Sequence, residues 1–448
     1  MQTGSRHDVT EDLEATAGPL SRPHRIVLAT FGSLGDLHPY IAIALSLKAR
    51  GHETTIATSS FYRQKIESLG IGFRPIRPEL PTPESNRELI RRVMDHRTGL
   101  ECIIREIIMP PLRDSFEDTL AATGDADLLV SHPLALTARL VAEKTGIAWA
   151  STVLQPISFV SIYDPPVMAQ APWFARLGFL GPGFYRVLFG LGRRRISGWC
   201  ESWHRLRADV GLAPVRDNPF FEGQHSPRLV LALFSKLLGD RQLDWPPQTV
   251  ITGFTFFDQD HEEVMPVELS RFLDAGPPPI VFTLGSSAVH DAGRFYEESA
   301  AAAALLAQRA VLLVGKDDGN RPAPLPEGIV AFNYAPFSEL FPRALAIVHQ
   351  GGVGTTAQAM RAGRPMLVMP YAHDQPDNAA RMVRLGIGRT ISRRRYTARR
   401  AAVELTQLLT SRYAERARLI GERIQEEVGA ATASDALEKL LANRAAMR

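Results

Sequence analysis

The chain of 448 residues carries a formal net charge of +3 and is 45% hydrophobic and 22% charged. This balance is that of a soluble globular protein, and the length predicts two or three domains. The small net charge, without a long basic run, argues against nucleic-acid binding. The two cysteines, Cys102 and Cys200, have neither metal-site nor disulfide spacing, which is typical of a reducing compartment. We therefore expect a cytoplasmic protein.

Two stretches bear on whether the chain is directed to a membrane. Residues 1–23 are polar and of mixed charge and lack the apolar core of a signal peptide, so we expect a disordered lead-in. The longest uncharged stretch, residues 145–163, is interrupted by Pro156 and by several polar residues. That stretch is therefore a poor candidate for a transmembrane helix.

The first half of the chain alternates between strand and helix patterns. A β-branched run at residues 25–30 leads into the turn FGSLGD, and a helical pattern follows that Gly51 ends. This order of strand, glycine turn, helix and strand is typical of a parallel α/β sheet. Further strands are predicted at residues 53–59, 128–132, 148–153 and 228–235.

The pattern restarts in the second half, after a stretch rich in turn residues. Strands are predicted for IVFT, AVLLVG, GIVAFNY, ALAIVHQ and PMLVMPY. We therefore predict an α/β protein with two doubly wound, Rossmann-like domains and an interdomain cleft, where such folds bind ligands. The predicted segments are a first domain at 24–240, a linker at 241–276, a second domain at 277–410, and helices at 411–448 that can pack back on the first domain.

A glycine-rich turn, QGGVGTT at residues 350–356, directly follows the strand ALAIVH. Its glycines let a ligand approach the backbone, and the first amides of the next helix favour an anion such as a diphosphate. A tight strand-to-helix turn without a ligand is the alternative. The pattern is neither GxGxxG nor GxxxxGK[ST], which disfavours a dinucleotide or a kinase-type phosphate site.

One strand further on, the sequence YAHDQPDNAAR places an acid and amides at the corresponding strand end. A carboxylate beside an amide, here Asp374 and Gln375, suits bidentate hydrogen bonding to neighbouring sugar hydroxyls. Asp374 followed by Pro376 is also typical of a helix start, so an N-cap is the alternative. Together with the glycine turn, the pair favours sugar binding.

From residue 24 onward the chain resembles the family-one nucleotide-sugar glycosyltransferases, which have the GT-B fold, and most strongly so at residues 334–388. The resemblance implies a UDP-sugar or dTDP-sugar donor and no cofactor or metal. The donor residues that it implies are Asp374 and Gln375 for the sugar, Gln358 for the ribose, Gly351, Gly352, Gly354 and Thr355 for the diphosphate, Ser286 across the pocket, and Tyr334 and Phe337, in YAPF, beside the nucleobase.

The resemblance leaves the phosphate-binding side chain open. The family's histidine falls on Gln350, with His349 directly before it. A glutamine donates a hydrogen bond to phosphate but carries no charge. Either Gln350 takes this role, or His349 does in a slightly shifted turn.

The turn after the first strand reads GSLGDLHP, where many family members have a histidine base in GHxxP. The register puts Asp36 in that place, as in bacterial and sterol-type members with GSxGD. The resemblance implies that Asp36 takes the acceptor's proton as the new bond forms; N-capping is the alternative. His38, in the first helical turn, is expected to contact the acceptor or to pack. The aspartate that orients the base in plant relatives falls on Ser131, so Asp36 is expected to act alone.

The stretch APWFARLGFLGPGFYRVLFGLG, residues 171–192, is rich in aromatic residues and contains five glycines, which argue against a rigid helix. One interpretation is a mobile lid over a flat apolar acceptor, with Trp173 and Phe174 as acceptor contacts. A peripheral membrane contact, helped by arginines 193–195, is another. Ordinary core packing is the third.

The resemblance implies an inverting O-glycosyltransferase that moves a hexose from a donor of the UDP-glucose or dTDP-rhamnose type to a hydroxyl group. The aromatic stretch favours a hydrophobic acceptor, such as a phenolic or flavonoid, polyketide, sterol or lipid. The alternatives are a non-catalytic helper subunit and a sugar-nucleotide epimerase on the same fold. The sequence leaves the donor, the acceptor and the oligomeric state open.

Overall fold

The computed structural model describes residues 22–80, 83–258 and 264–446. Within these ranges the strands form two separate sheets, and all strand pairs in both sheets are parallel. This confirms the predicted α/β class with two Rossmann-like domains. The predicted lead-in lies outside the described residues, apart from Arg22 and Pro23.

The first sheet contains, among the residues described, seven strands in the order β3-β2-β1-β4-β5-β6-β7. The strand order reverses at β1, so β1 and β4 are neighbours. The turns that follow these two strands therefore lie side by side at the same edge of the sheet. The strands are β1 Arg25–Ala29, β2 Glu53–Thr58, β3 Gly72–Pro75, β4 Leu128–Ser131, β5 Ala148–Val153, β6 Val230–Ala232 and β7 Thr249–Ile251.

The second sheet has six strands in the described part of the chain, in the order β10-β9-β8-β11-β12-β13. Its order reverses at β8, which brings the turns after β8 and β11 together. The strands are β8 Ile280–Thr283, β9 Ala310–Leu313, β10 Ile329–Phe332, β11 Ala346–His349, β12 Met366–Val368 and β13 Gly388–Thr390.

Helices cover both faces of the second sheet, as parallel sheets require. Ile280 and Phe282 of β8 enter one hydrophobic cluster, and Val281 between them enters the cluster on the other face. The helices are α1 Leu34–Ala49, α2 Arg63–Ser68, α3 Pro83–Val93, α4 Gly99–Cys102, α5 Leu112–Ala122, α6 Ala138–Thr145, α7 Gly181–Ile196, α8 Glu201–Asp209, α9 Val267–Asp274, α10 Gly285–Ala288, α11 Phe295–Leu305, α12 Phe337–Leu340, α13 Val353–Arg361, α14 Gln375–Arg384, α15 Ala398–Leu408, α16 Ser411–Gln425 and α17 Gly429–Ala446.

The predicted linker, residues 241–276, is only partly connecting chain. Its residues 249–251 form β7, which pairs in parallel with β6 and completes the first sheet. Residues 267–274 form α9, whose Leu269 and Leu273 enter the core of the second domain. A three-residue strand inside a turn-rich stretch gives little periodic signal, so the sequence placed the boundary too early.

The C-terminal helices divide between the two domains. Ile420 and Ile424 of α16 pack into the core of the second domain. Leu437 of α17 packs into the core of the first domain, and Arg50, directly after α1, pairs with Glu438 of α17. The chain therefore returns to the first domain at its end.

The aromatic stretch is helical, which corrects the expectation from its glycines. After a 3-10 segment at Pro172–Leu180, α7 begins with Pro182 in its first turn, a position that proline favours. Buried Tyr185 anchors the helix through a hydrogen bond from its hydroxyl group to the Phe174 carbonyl oxygen at 2.8 Å. This bond and the burial of Tyr185 offset part of the cost of about 1 kcal/mol for each helical glycine. Across the described ranges, every helix falls short of the length and apolarity that crossing a membrane requires.

Candidate active site between the two domains

The two domains touch where the helices after β1 and β11 begin. A Cβ atom added to Gly354 of α13 would lie 3.6 Å from the Cα atom of Gly35 of α1, which is ordinary van der Waals contact. Both helices begin at the carboxyl ends of their sheets, where doubly wound domains bind ligands. The contact therefore brings the two predicted halves of the site together.

Asp36 lies inside the first turn of α1, because Ser33 and Asp36 form a capping box that starts the helix at Leu34. Its Oδ2 atom accepts hydrogen bonds from the Ser33 N–H at 2.8 Å and the Ser33 hydroxyl group at 3.2 Å. A Cβ atom at Gly32 (φ +134°) would lie 2.3 Å from that oxygen, so only glycine leaves room for the carboxylate. Asp36 thus caps the helix through Oδ2 and keeps Oδ1 for a second contact.

His132, which the sequence analysis missed, makes that second contact. Its Nε2 atom lies 3.4 Å from Asp36 Oδ1, and its Nδ1 atom accepts the Leu134 N–H at 3.1 Å. Ser131, the predicted register position, instead accepts a hydrogen bond from Trp149 Nε1 at 2.8 Å. The expectation that Asp36 acts without a partner is corrected. The signal was available, since residue 132 directly follows the strand next to β1.

The predicted acceptor contacts pack against other aromatic side chains. His38 packs edge-on against Phe257, with ring centroids 5.3 Å apart. Trp173 is 56% exposed, and its ring centroid lies 4.0 Å from that of Phe174. These two aromatic side chains lie on the 3-10 segment before α7. Further exposed apolar side chains are Phe179 and Leu180 on that segment and Val187 and Leu191 on α7.

In the turn after β11, His349 is fully buried, and its Nδ1 atom accepts the Gly351 N–H at 3.0 Å. Burial lowers the pKa of His349 to about 3, so the ring is neutral. Its hydrogen bond from the Gly351 N–H stabilises the conformation of the turn. Gln350 is 5% exposed and lies over Gly285 (φ +64°), where an added Cβ atom would meet its Nε2 at 2.4 Å and Thr355 Oγ1 at 3.3 Å. The Gln350 amide therefore lies between the turns after β8 and β11.

The acid–amide pair opens α14. Gln375 Oε1 accepts the Tyr371 N–H at 2.8 Å, which fixes the carbonyl end of this amide and leaves Nε2 as its donor. Asp374 Oδ2 accepts from Asn378 Nδ2 at 2.7 Å, and the same Nδ2 donates to the Gly351 carbonyl oxygen at 2.9 Å. Fully buried Asn378 thus ties the pair to the glycine turn.

The pKa of Asp374 is affected by a charged group of the other domain, Asp36. Removal from water and then the charge of Asp36 raise its pKa to about 7. Hydrogen bonds from Asn378 and from the Val353 N–H, at the start of α13, oppose that shift. Two carboxylates from different domains therefore face the same space.

The remaining predicted donor residues lie around this centre. Gln358 Nε2 donates to Asp258 Oδ1 at 3.2 Å, and its Oε1 accepts from Arg361 at 2.8 Å, so the proposed ribose partner belongs to a polar cluster. Tyr334 is 40% exposed and lies parallel to Phe337, with centroids 6.5 Å apart. Ser286 is exposed on α10, next to Gly285.

A buried ion network joins α14 to the first domain. Arg381 bonds to Asp377 of the same helix and to Asp164 of the first domain, both at 2.7 Å. The Val167 N–H donates to Asp377 Oδ1 at 2.9 Å. Arg384 also pairs with Asp164, at 2.8 Å, but is 58% exposed. The loop that leads into the aromatic stretch is thereby fixed to the helix of the acid–amide pair, a contact that sequence spacing gives no hint of.

Comparison with known proteins decides the family. The model of the Erythromycin biosynthesis protein CIII-like C-terminal domain matches residues 299–438, and that of the Glycosyltransferase family 28 N-terminal domain matches residues 26–161. O-mycaminosyltylonolide 6-deoxyallosyltransferase of Streptomyces fradiae is 32% identical over 93% of this chain and 97% of its own length. The chain belongs to the bacterial family-one glycosyltransferases. The family predicted from the donor-site motifs of this glycosyltransferase is therefore confirmed.

Two further comparisons extend this result. Sterol 3-beta-glucosyltransferase of Sclerotinia sclerotiorum is 28% identical over 92% of this glycosyltransferase, which spans 29% of that longer protein. The crystal structure of glycosyltransferase VinC in complex with DTDP superposes with a TM-score of 0.66 at 18% identity, covering 94% of this chain and 100% of that one. This likeness in structure confirms the GT-B fold.

Proposed function

We propose that this glycosyltransferase moves a hexose from a nucleoside-diphosphate sugar to a hydroxyl group of a hydrophobic small molecule, with inversion at the anomeric carbon. The observation that carries the proposal is the contact between Gly35 and Gly354, which brings the turn of Asp36 against the glycine turn of the other domain. Asn378 ties that glycine turn to Asp374. A base on one wall and hydroxyl-binding groups on the other suit a direct displacement between two substrates.

On the donor wall, Gln375 Nε2 and Asp374 would hold the sugar hydroxyls. The Gln350 amide and Thr355, beside the first turn of α13, would face the diphosphate. The N–H groups at the start of a helix carry partial positive charge, which stabilises the negative charge that develops on the leaving diphosphate. His349, buried and committed to the Gly351 N–H, supports this wall from inside the domain.

On the acceptor wall, Asp36 would take the proton of the attacking hydroxyl group. The acceptor oxygen forms a bond to the anomeric carbon as the bond from that carbon to the diphosphate oxygen breaks. The electron pair of the broken bond leaves with the nucleoside diphosphate. General base catalysis of this kind contributes about 10²- to 10⁴-fold.

The comparisons support an order of donors to try. The 32% identical relative is by name a 6-deoxyallosyltransferase, and VinC was crystallised with DTDP, which favours a dTDP-linked deoxyhexose. The sterol glucosyltransferases favour UDP-glucose as the second choice. By name these relatives act on a mycaminosyl-tylonolide and on sterols, so polyketides and sterols lead the acceptor panel.

The test is a product-mass assay with dTDP-rhamnose or UDP-glucose and a panel of macrolides, sterols and flavonoids. We expect an acceptor mass gain of one sugar residue in the wild type and its loss in Asp36→Asn. A changed sugar nucleotide without any acceptor would indicate an epimerase instead. Thermal stabilisation by the donor without transfer to any acceptor would indicate a helper subunit. Either result would contradict the proposal.

A further inference from the structure

The carboxylate of Asp36 is held from both sides. Ser33 donates twice to Oδ2, and His132 Nε2 lies 3.4 Å from Oδ1. The Asp36 side chain is 30% exposed, whereas His132 is 6% exposed. The carboxylate therefore meets the cleft, while the ring lies behind it.

The hydrogen bonds of His132 define its tautomer. The Leu134 N–H donates to Nδ1, so that nitrogen carries no proton, and the ring proton is on Nε2, which faces the carboxylate. The His132 N–H bonds to the Ala29 carbonyl oxygen at 2.9 Å, which fixes the backbone beside β1. With both ring nitrogens engaged, His132 has no nitrogen left for an acceptor hydroxyl group.

We propose that His132 is a positioning residue that aims Asp36 Oδ1 at the acceptor hydroxyl group. The inference rests on the proposed function, because it needs Asp36 to be the base. At 3.4 Å the contact is long for a hydrogen bond, and catalytic hydrogen bonds of this kind shorten when substrates bind. The acceptor's proton ends on Asp36, and His132 keeps its own proton throughout.

This arrangement separates aiming from proton transfer. Without His132, the carboxylate would keep only its hydrogen bonds from Ser33, and Oδ1 would be free to turn away from the acceptor hydroxyl group. Misplacement of a catalytic group by about 1 Å costs about 100-fold in rate.

Other ionisable groups face Asp36 from the elements around it. Tyr40 of α1 and Tyr62 after β2 have pKa values raised by burial, so both phenols stay protonated. Across the cleft lie His373, whose pKa burial lowers, and Asp374, whose pKa is raised to about 7. Because the charge of Asp374 changes near pH 7, kcat of each variant is compared at one fixed pH and at saturating donor.

The test compares His132→Phe, which removes the donor and keeps a ring, with His132→Gln, whose Nε2 can still donate to Asp36. In His132→Phe we expect kcat to fall about 10- to 100-fold and the donor KM to stay within twofold. His132→Gln is expected to recover most of kcat.

His52 offers a matched control. It is also 6% exposed, its Nδ1 accepts the His24 N–H at 3.2 Å, and its Nε2 faces Glu438 at 3.0 Å, but it lies at the opposite, amino end of β2. His52→Phe should lower thermal stability and leave kcat unchanged. If His132→Phe behaves like His52→Phe, the positioning role is overturned.

A readout that does not depend on turnover separates this inference from the proposed function. In protein with ¹⁵N-labelled histidine, the His132 resonances should report the Nε2-protonated tautomer and should shift in Asp36→Asn. An Nδ1-protonated ring would overturn the inference, even if the wild type transfers sugar. A wild type that transfers no sugar would overturn the proposed function, and the positioning role with it.

Discussion

The two turns that face each other across the cleft are built differently. In the first, one carboxylate with a 30% exposed side chain is held by Ser33 and His132. In the second, Gln350 and Gln375 are each 5% exposed and Asn378 is fully buried. The donor wall is therefore set by packing, whereas the acceptor wall presents one reactive group. Changes on the first wall should alter kcat, and changes on the second should alter donor affinity and stability.

Asp36→Asn should give the largest change in activity. The amide cannot take the acceptor's proton, so we expect kcat to fall by about 10²- to 10⁴-fold. Asn can still accept the Ser33 N–H and cap α1, so the melting temperature should change little. Steady-state kinetics with thermal melting measure both quantities. Retention of more than a tenth of wild-type kcat would rule Asp36 out as the base.

Arg381→Met should give the largest change in stability, because it breaks the ion network that joins α14 to the first domain. It leaves the fully buried carboxylate of Asp377 without its cation, which costs about 3–5 kcal/mol of the free energy of unfolding. Arg384→Met is the control, since this side chain pairs with the same Asp164 but is 58% exposed, and surface pairs contribute about 0–1 kcal/mol. Denaturant unfolding measures both. Equal losses in the two variants would contradict the account.

Gly285→Ala should affect the donor wall alone. The new Cβ atom would meet Gln350 Nε2 at 2.4 Å, at a φ of +64° that alanine adopts only with strain. We expect the donor KM to rise about tenfold, as one displaced hydrogen-bonding group costs about 1.4 kcal/mol. The control is Gly190→Ala in α7, where the Cβ atom meets nothing within 4 Å. That variant should keep the donor KM and gain slightly in stability.

Asp374→Asn should show how much the burial of Asp374 and the charge of Asp36 destabilise the donor-free protein at neutral pH. The folded protein keeps a proton on Asp374 up to a pH of about 7, whereas the unfolded chain loses it near 3.9. Wild-type stability therefore falls as pH rises through this window, and the Asn variant escapes that fall.

Melting temperatures from pH 4 to 8 check this smaller effect. The variant should gain on the wild type as pH rises and reach a difference of about 2–4 °C or more by pH 8. In Asp36→Asn the same pH dependence should be weaker, because one cause of the raised pKa is gone. Parallel curves for the variant and wild type would show that Asp374 is not perturbed.

The donor wall could be predicted from the sequence because its groups follow two neighbouring strands in one continuous stretch. Gln350, Asp374 and Gln375 come from residues 350–375, where turn residues mark the end of each strand. The contacts of His349 and Gln350 could not be predicted, because they depend on which side chain bonds to the Gly351 N–H and which lies over Gly285. That is a matter of packing rather than of spacing.

The acceptor wall depends on long-range contacts that a motif does not contain. Asp36 was found from its motif, but His132 reaches it only because β4 lies beside β1 in the folded sheet. The helix α7 was missed for a similar reason. Its glycines oppose helix formation locally, whereas the hydrogen bond from Tyr185 to Phe174 is a contact that glycine content does not reveal.

The most direct test of the central claim, that the two walls divide binding from proton transfer, is calorimetric titration of the Asp36→Asn variant with the donor. We predict a donor dissociation constant equal to that of the wild type or lower, since a negative charge near the diphosphate is removed, together with loss of transfer. A variant that loses donor affinity along with transfer would contradict the account, because Asp36 would then belong to the donor wall.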